Sequence, residues 1–439
     1  MRIASMAIGL LMAAVGTAAA AQDRDTKVRK DREAFEGSRD WIYNDLEAGV
    51  RAAAAEDKPL LVVFRCIPCA ACQEFDDQVA RRDRRVRDLM DQFVCVRIVQ
   101  ANTIDLTRFQ FDFDQSFAAV LMHPDMTIYG RFGTRSKHEE SRDITLEGLR
   151  KAMAAALEMH KRHEQVKPAL AGKQVSEAGF KSPGDYPSLA GKYESDLDYE
   201  GRVAASCLHC HQIREAERLV YRTAGEPIPD EVLYPSPNPS VVGLIMDPRE
   251  KARIAEVAAD SPAERDDFQA GDEILRLEGQ PLLSIADIQW VLHHAPPSGR
   301  LSAQVARKGE KLDLVLTLDE GWRRRDDISW RATTWDLRRM GLGGLLLEEL
   351  LPDERSEAGL PDDSMALRVK HAGEYGDHAV ALRAGFRKDD ILVAFDGQRG
   401  RMTESQLLAH TLQEKRPGDT VAATVLRNGQ RKQFKFALQ

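Results

Sequence analysis

Lys58-Pro59-Leu60-Leu61-Val62-Val63-Phe64-Arg65-Cys66-Ile67-Pro68-Cys69-Ala70-Ala71-Cys72-Gln73 decides the architecture of the front of this chain. Leu60 to Phe64 is an apolar run closed off by a proline on its N-terminal side, which predicts a short buried strand. A Cys-x-x-Cys that follows such a strand and opens a helix sets two sulfurs across the first helical turn, within disulfide reach. The helix N-terminus favours the thiolate of the leading cysteine and makes it the nucleophile. Three cysteines here give two overlapping pairs, Cys66 with Cys69 and Cys69 with Cys72. A structural disulfide, or copper or zinc held by three closely spaced thiols, is the competing chemistry.

Working outward, Trp41 to Ala55 predicts an amphipathic helix, and a helix is expected from about Ala70 to Met90. Phe93 to Val99 and Phe117 to Met122 predict strands, with a turn at His123-Pro124-Asp125-Met126. Thr145 to about His163 predicts a closing helix with Leu146, Leu149, Met153, Ala156 and Leu157 on one stripe. Strands alternating with helices in this order predict an α/β sandwich. The region resembles thioredoxin over residues 35–163. The resemblance implies a catalytic pair with Cys69 as attacker, Cys72 as resolving thiol and Cys66 as an accessory thiol. The chain departs from that family at Val63, where a buried acid is expected, and near Ser116-Phe117-Ala118, which lacks the family's proline. Cys95, inside an apolar strand, reads as a small buried hydrophobe.

A second cysteine motif, Cys207-Leu208-His209-Cys210-His211, has the spacing of covalent c-type haem attachment. Two thiols would take the haem vinyl groups, and His211 would be the axial ligand to iron. The expected cofactor is therefore haem c, with no nucleotide. The same residues also suit a second dithiol, or a zinc knuckle using His209 or His211. Met246, His160, His163 and His293 are candidates for the sixth iron ligand by residue type alone. Residues 164–238 read as a linker carrying this haem segment.

The last two hundred residues contain an internal repeat. Ala270-Gly271-Asp272-Glu273-Ile274-Leu275 recurs as Arg387-Lys388-Asp389-Asp390-Ile391-Leu392, which sets Lys388 in place of Gly271 and gives the second copy one extra residue before its glycine. Each copy then offers a helix, Ile285 to His294 and Glu404 to Leu412, and a hairpin with Lys308-Gly309 or Asn428-Gly429 at its tip. This pattern resembles two PDZ domains, at 240–320 and 340–439. The resemblance implies grooves that take the C-terminal peptide of a client or partner protein. The peptide-binding loops would be Val242-Gly243-Leu244-Ile245 and Gly341-Leu342-Gly343-Gly344.

The 439 residues, 43% of them apolar and 30% charged, predict a multidomain globular protein, and a net charge of −8 gives no reason to expect nucleic acid. Arg2, the short apolar run Ile8 to Val15 and Ala19-Ala20-Ala21 predict a cleaved export signal over residues 1–21. Its core is shorter than the ~20 apolar residues of a membrane span, so no stable span is expected. A periplasmic location accords with dithiol and haem chemistry. As a whole the chain resembles the periplasmic thioredoxin-fold/PDZ-domain family whose members include selenoproteins. The fold class expected is multidomain α/β plus α+β: a thioredoxin-like domain, a haem-attachment segment and two tandem PDZ-like domains. The expected function is thiol–disulfide exchange with client recruitment and a separate redox partner protein. The alternative is a c-type cytochrome or peptide-binding scaffold whose dithiol is structural or binds metal. Lacking a Gly-x-Ser-Gly motif, the chain is expected not to be a protease.

Overall fold

The computed structural model describes residues 22–69, 72–138, 142–174 and 179–439. The expected leader at 1–21 and the Ala70-Ala71 pair lie outside them. Contacts divide the chain into two units, Met1–Ile213 with Val242–Leu318, and Arg214–Val241 with Asp319–Gln439. Residues of the expected linker and haem segment at 164–238 fall in both units.

In the first unit, residues 22–35 form α1. There follow β1 (Ile42–Tyr43), α2 (Leu46–Glu56), β2 (Leu60–Arg65), α3 (Gln73–Ala80), α4 (Arg87–Met90), β3 (Val94–Ile98), β4 (Phe117–Met122), β5 (Ile128–Phe132), α5 (Leu146–His160) and α6 (His163–Leu170). The sheet order is β1-β3-β2-β4-β5, with β1, β3 and β2 parallel and β4 and β5 antiparallel. β2 is central and all six of its residues are buried. A strand covered on both faces reads as an unbroken apolar run, which is why this one was conspicuous. Trp41 precedes the helix instead of starting it; its indole donates to Ala80 O at 2.8 Å, and Asp45 caps α2 through Ala48 N. The expected long helix to Met90 is broken in two. Arg82 takes a left-handed φ of 55° and its guanidinium binds Asp40 and Asp91, ending α3.

The chain continues through α7 (Val203–Ser206) and α8 (Cys210–Ala224), and α9 (Asp230–Leu233) belongs to the second unit. Back in the first unit come β6 (Leu244–Met246), β7 (Ile254–Val257), α10 (Pro262–Arg265), β8 (Glu273–Leu277), β9 (Gln280–Pro281), α11 (Ile285–His294), β10 (Gly299–Arg307) and β11 (Glu310–Leu318). These form a two-stranded sheet, β6-β7, and a four-stranded one, β11-β10-β8-β9. The start of α11 is seated on β5. Buried Asp287 accepts from Arg131 N at 3.1 Å and pairs with Lys173 Nζ at 2.8 Å, and Ser284 Oγ donates to Arg131 O. Gly130 makes this approach possible, since a Cβ there would lie 2.9 Å from both Asp287 and Leu283. The edge of the thioredoxin-type sheet is thereby covered.

The second unit holds α12 (Thr334–Leu342), β12 (Leu345–Glu349), α13 (Pro352–Glu357), β13 (Leu367–Ala372), α14 (Val380–Ala384), β14 (Ile391–Phe395), α15 (Glu404–Glu414), β15 (Thr420–Arg427) and β16 (Gln430–Ala437), in sheet order β12-β13-β14-β15-β16. Its frame repeats that of the first. Asp272 pairs with Arg307 at 2.8 Å, and Asp390 with Arg427 at 2.6 Å. Ile274 lies opposite Val305, and Leu392 opposite Val425. This register corrects the alignment of the repeats. Asp389 (φ 69°), not Lys388, takes the place of Gly271 (φ 92°), and no extra residue intervenes. Aspartate tolerates the left-handed region, so the glycine signal vanished while the backbone stayed the same.

Candidate thiol–disulfide site

β2 delivers its last residues to the sheet's end, and there Cys66 and Cys69 form a disulfide with Cα atoms 5.5 Å apart. The expected pairing of Cys69 with Cys72 is not the one adopted. Cys72 has a left-handed φ of 59° at the start of α3 and is buried within the core that includes Val63, Phe75 and Phe117. That turn directs it inward, whereas Cys69 stays partly exposed and Cys66 is buried.

The loop is held from below by a side chain the sequence reading passed over. Arg65 donates to Cys66 O, to Cys69 O at 2.9 Å and to Ser116 O at 3.0 Å. Its other face meets Asp76 at 3.2 Å; Asp76 pairs with Arg97 at 2.8 Å, and Arg97 with Asp31 at 2.7 Å. Paired carboxylates raise the Arg97 guanidinium above its ordinary range despite burial. A buried acid near this loop is Asp76, one turn into α3, and it is engaged in ion pairs with Arg65 and Arg97. Ser116 O also accepts from Cys66 N at 3.0 Å, so the proline-free loop still holds the disulfide.

The Cys207–His211 motif lies on this same site. Cys66 Sγ is 3.3 Å from His209 Nδ1. Backbone bonds fix the arrangement: Ala101 N donates to Leu208 O at 3.1 Å, and Leu208 N to Asn102 Oδ1 at 2.7 Å. Cys207 packs in a core with Val28, Val99, Leu197 and Val203, its Sγ 3.5 Å from Val99 O. Burial pushes the Cys207 and Cys210 thiols up to about 12. Burial, then the nearby His211, pushes His209 down to about 4, leaving it neutral at physiological pH.

Haem c does not fit these residues as placed. Cys66, Cys207, His209 and Cys210 share a cavity of about 10 Å³, the room of one water molecule. Thioether bonds to a porphyrin would require Cys207 to leave its core. Among the described residues, none of the four candidate sixth ligands lines that cavity. His160 and His163 are instead bonded to Tyr129 OH at 3.0 and 3.1 Å. His163, Asp125 and His123 do bring ligand atoms within 4.8 Å of one another. Their two imidazoles are stacked 6° from parallel, which aims the ring lone pairs past one another, and Lys167 already holds Asp125 at 2.6 Å.

Of the two expected peptide loops, the first has the required form. Gly243 (φ 91°) leads into β6, which pairs with β7 alone among the described strands; Val242 and Leu244 are buried and Ile245 is 37% exposed. The second does not. Gly341 and Leu342 are the last turn of α12, and Gly343 is its left-handed cap. In β12, Leu347 N donates to buried Glu404 Oε1 at 2.7 Å, and Glu404 is held by Arg338 at 2.6 Å. One amide on the edge that a peptide would join, Leu347 N, is thus taken by the chain itself.

Two family models match parts of the chain. Residues 41–124 match the family described as Thioredoxin-like, and residues 238–318 match the PDZ domain family. The chain therefore contains a thioredoxin-like domain and a peptide-binding PDZ domain. Among curated proteins it is similar to a "Probable periplasmic serine endoprotease DegP-like" of Halomonas elongata, 30% identical over 34% of this chain and 29% of that protein. A protein of the same description from Pseudomonas fulva is 24% identical over 43% of this chain and 37% of that one. The chain spans about a third of the length of these relatives. Among solved structures, "HtrA-type protease AlgW with tripeptide" is 27% identical over 21% of this chain and 29% of that chain, with a TM-score of 0.17. These relatives overturn the expectation that the chain is not a protease: the similarity found is to proteases.

Proposed function

We propose that this is a periplasmic thiol–disulfide oxidoreductase whose working pair is Cys66–Cys69 and whose PDZ domain recruits clients by an extended peptide. The observation that carries the reading is the Cys66–Cys69 disulfide at the end of β2 with His209 against its buried sulfur. A client thiolate attacks the accessible Cys69 sulfur. The bond to Cys66 breaks, and the leaving Cys66 thiolate accepts a hydrogen bond from His209 Nδ1. The second client thiolate then attacks the mixed disulfide, so the client gains a disulfide and Cys69 leaves as a thiolate. A separate disulfide protein, itself reduced in the exchange, resets the pair. The open edge of β6 supports peptide binding by strand addition, and the kinship with periplasmic DegP-like proteins supports an exported location.

The test is single-turnover exchange with a small dithiol peptide, using full-length protein. Cys69→Ser and Cys66→Ser abolish turnover, while Cys72→Ser retains it within about twofold. Loss in Cys72→Ser with retention in Cys66→Ser would overturn the assignment.

A further inference from the structure

Cys207 and Cys210 line the cavity at Cys66 and have no role in that chemistry. Cys207 and Cys210 have the same two-residue spacing as Cys66 and Cys69, and Cys210 opens α8. The residue between them, His209, is the one that touches Cys66. All three line the same cavity as Cys66, and that cavity is too small for haem. We infer that Cys207–Cys210 is a second redox pair that exchanges directly with Cys66–Cys69, so the chain carries an internal disulfide relay in place of a haem.

The reaction needs no outside oxidant. One thiol of the second pair gives its proton to water and attacks Cys66 Sγ. The Cys66–Cys69 bond breaks, and Cys69, the more exposed sulfur, takes a proton from water. The remaining thiol of the second pair gives its proton to water and attacks the mixed disulfide. The Cys207–Cys210 bond forms, and Cys66 leaves as a thiolate that accepts a hydrogen bond from His209 Nδ1 and takes its proton from water. One disulfide has moved and two protons have been exchanged.

The location explains the arrangement. Cys207 sits in an apolar core, and backbone bonds from Ala101 and to Asn102 hold its segment over the disulfide. Cys207 is buried and Cys210 partly exposed, and both line the cavity at Cys66. Thiol–disulfide exchange passes through a mixed disulfide, so adjacency to Cys66 is the geometric requirement. The inference rests on the proposed role of Cys66–Cys69, and its test separates the two.

Full-length protein, reduced and freed of reductant, is titrated with oxidised glutathione and mapped by differential alkylation and mass spectrometry. The wild type loses four thiols at these positions; Cys207→Ser/Cys210→Ser loses two. Cys207→Ser or Cys210→Ser alone stalls the relay at the mixed disulfide, and a peptide linking Cys66 to the remaining cysteine accumulates. Recovery of only Cys66–Cys69 in the wild type, with no linked peptide in either single variant, would overturn the relay and leave the proposed function standing. A haem mass or stoichiometric zinc on Cys207 and Cys210 would overturn it too. If Cys66–Cys69 itself does not cycle in the double variant, the proposed function fails instead. The wild-type measurement needs no substitution, so poor folding of a variant does not blunt the test.

Discussion

His209 Nδ1 lies 3.3 Å from Cys66 Sγ although 143 residues separate them in sequence. The contact gives the buried sulfur of the disulfide a hydrogen-bonding partner at the moment it becomes a leaving group. His209→Ala is therefore expected to slow single-turnover exchange by about tenfold or more, the low end of general acid–base contributions being about a hundredfold. Cys69 alkylation after reduction should be unchanged, because that sulfur faces away. Equal rates for the variant and the parent would remove His209 from the chemistry.

The front domain was legible because its signal is local. β2 is apolar throughout, and the cysteine spacing is a covalent fact of the chain. What escaped was every feature made by residues distant in sequence. Arg65 and Arg97 sit in strands without a local signal for their partner, yet each is buried and paired with Asp76, as only the folded sheet reveals. The choice between overlapping cysteine pairs likewise depended on the turn at Cys72. Cys207-x-x-Cys210-His211 matched haem attachment by spacing, but spacing carries no information about the apolar core around Cys207. In the second repeat, Gly341 to Gly344 imitated a peptide loop while serving as a helix end.

The Arg65 clamp makes a second expectation. Arg65→Met removes one partner of buried Asp76 and three bonds to the disulfide loop. Breaking a buried ion pair on one side costs about 3–5 kcal/mol. Arg97 still holds Asp76, which places the loss near about 3 kcal/mol. A shift in the urea midpoint at unchanged slope would register it, and the redox potential of Cys66–Cys69 should move because the loop loses its anchor. An unshifted midpoint would show that the clamp is dispensable.

Asp287 is the polar centre of the seating of α11 on β5. Asp287→Ala leaves the Lys173 ammonium and Arg131 N without their carboxylate in a buried site. The expected cost is about 3 kcal/mol or more. It should appear as separation of one unfolding transition into two, the thioredoxin-like and PDZ parts melting independently. Asp287→Asn keeps an acceptor for Arg131 N and should fall between. A single cooperative transition in both variants would mean the seating contributes little.

Cys95 offers a pH test. Burial raises its thiol from the ordinary 9.0 to about 12. A group whose folded value lies above its unfolded one lends stability that is complete below the unfolded value and declines as pH rises from about 9 towards 12. At pH 10.5 the parent should have lost about 1–2 kcal/mol relative to pH 8 through this group. Cys95→Ala should show a shallower alkaline decline in urea titrations, whatever its cavity costs at neutral pH. Parallel declines would assign the alkaline loss elsewhere.

The corrected register of the repeats can be checked by exchanging residues between its copies. If Asp389 is the structural counterpart of Gly271, the left-handed φ of 69° is one that glycine holds without a Cβ penalty. Removing that penalty is partly offset by the greater freedom of glycine in the unfolded chain. Asp389→Gly should therefore stabilise the second unit by about 0.5 kcal/mol. The reverse change, Gly271→Asp, should destabilise the first by about 1 kcal/mol, since aspartate meets a smaller left-handed penalty than most residues. Lys388→Gly, which the alignment by residue type would favour, falls outside the left-handed positions and should lose stability by entropy alone. Thermal melts of the three variants separate the alternatives by sign: a gain at Lys388 with a loss at Asp389 would restore the alignment that the strand pairing rejects.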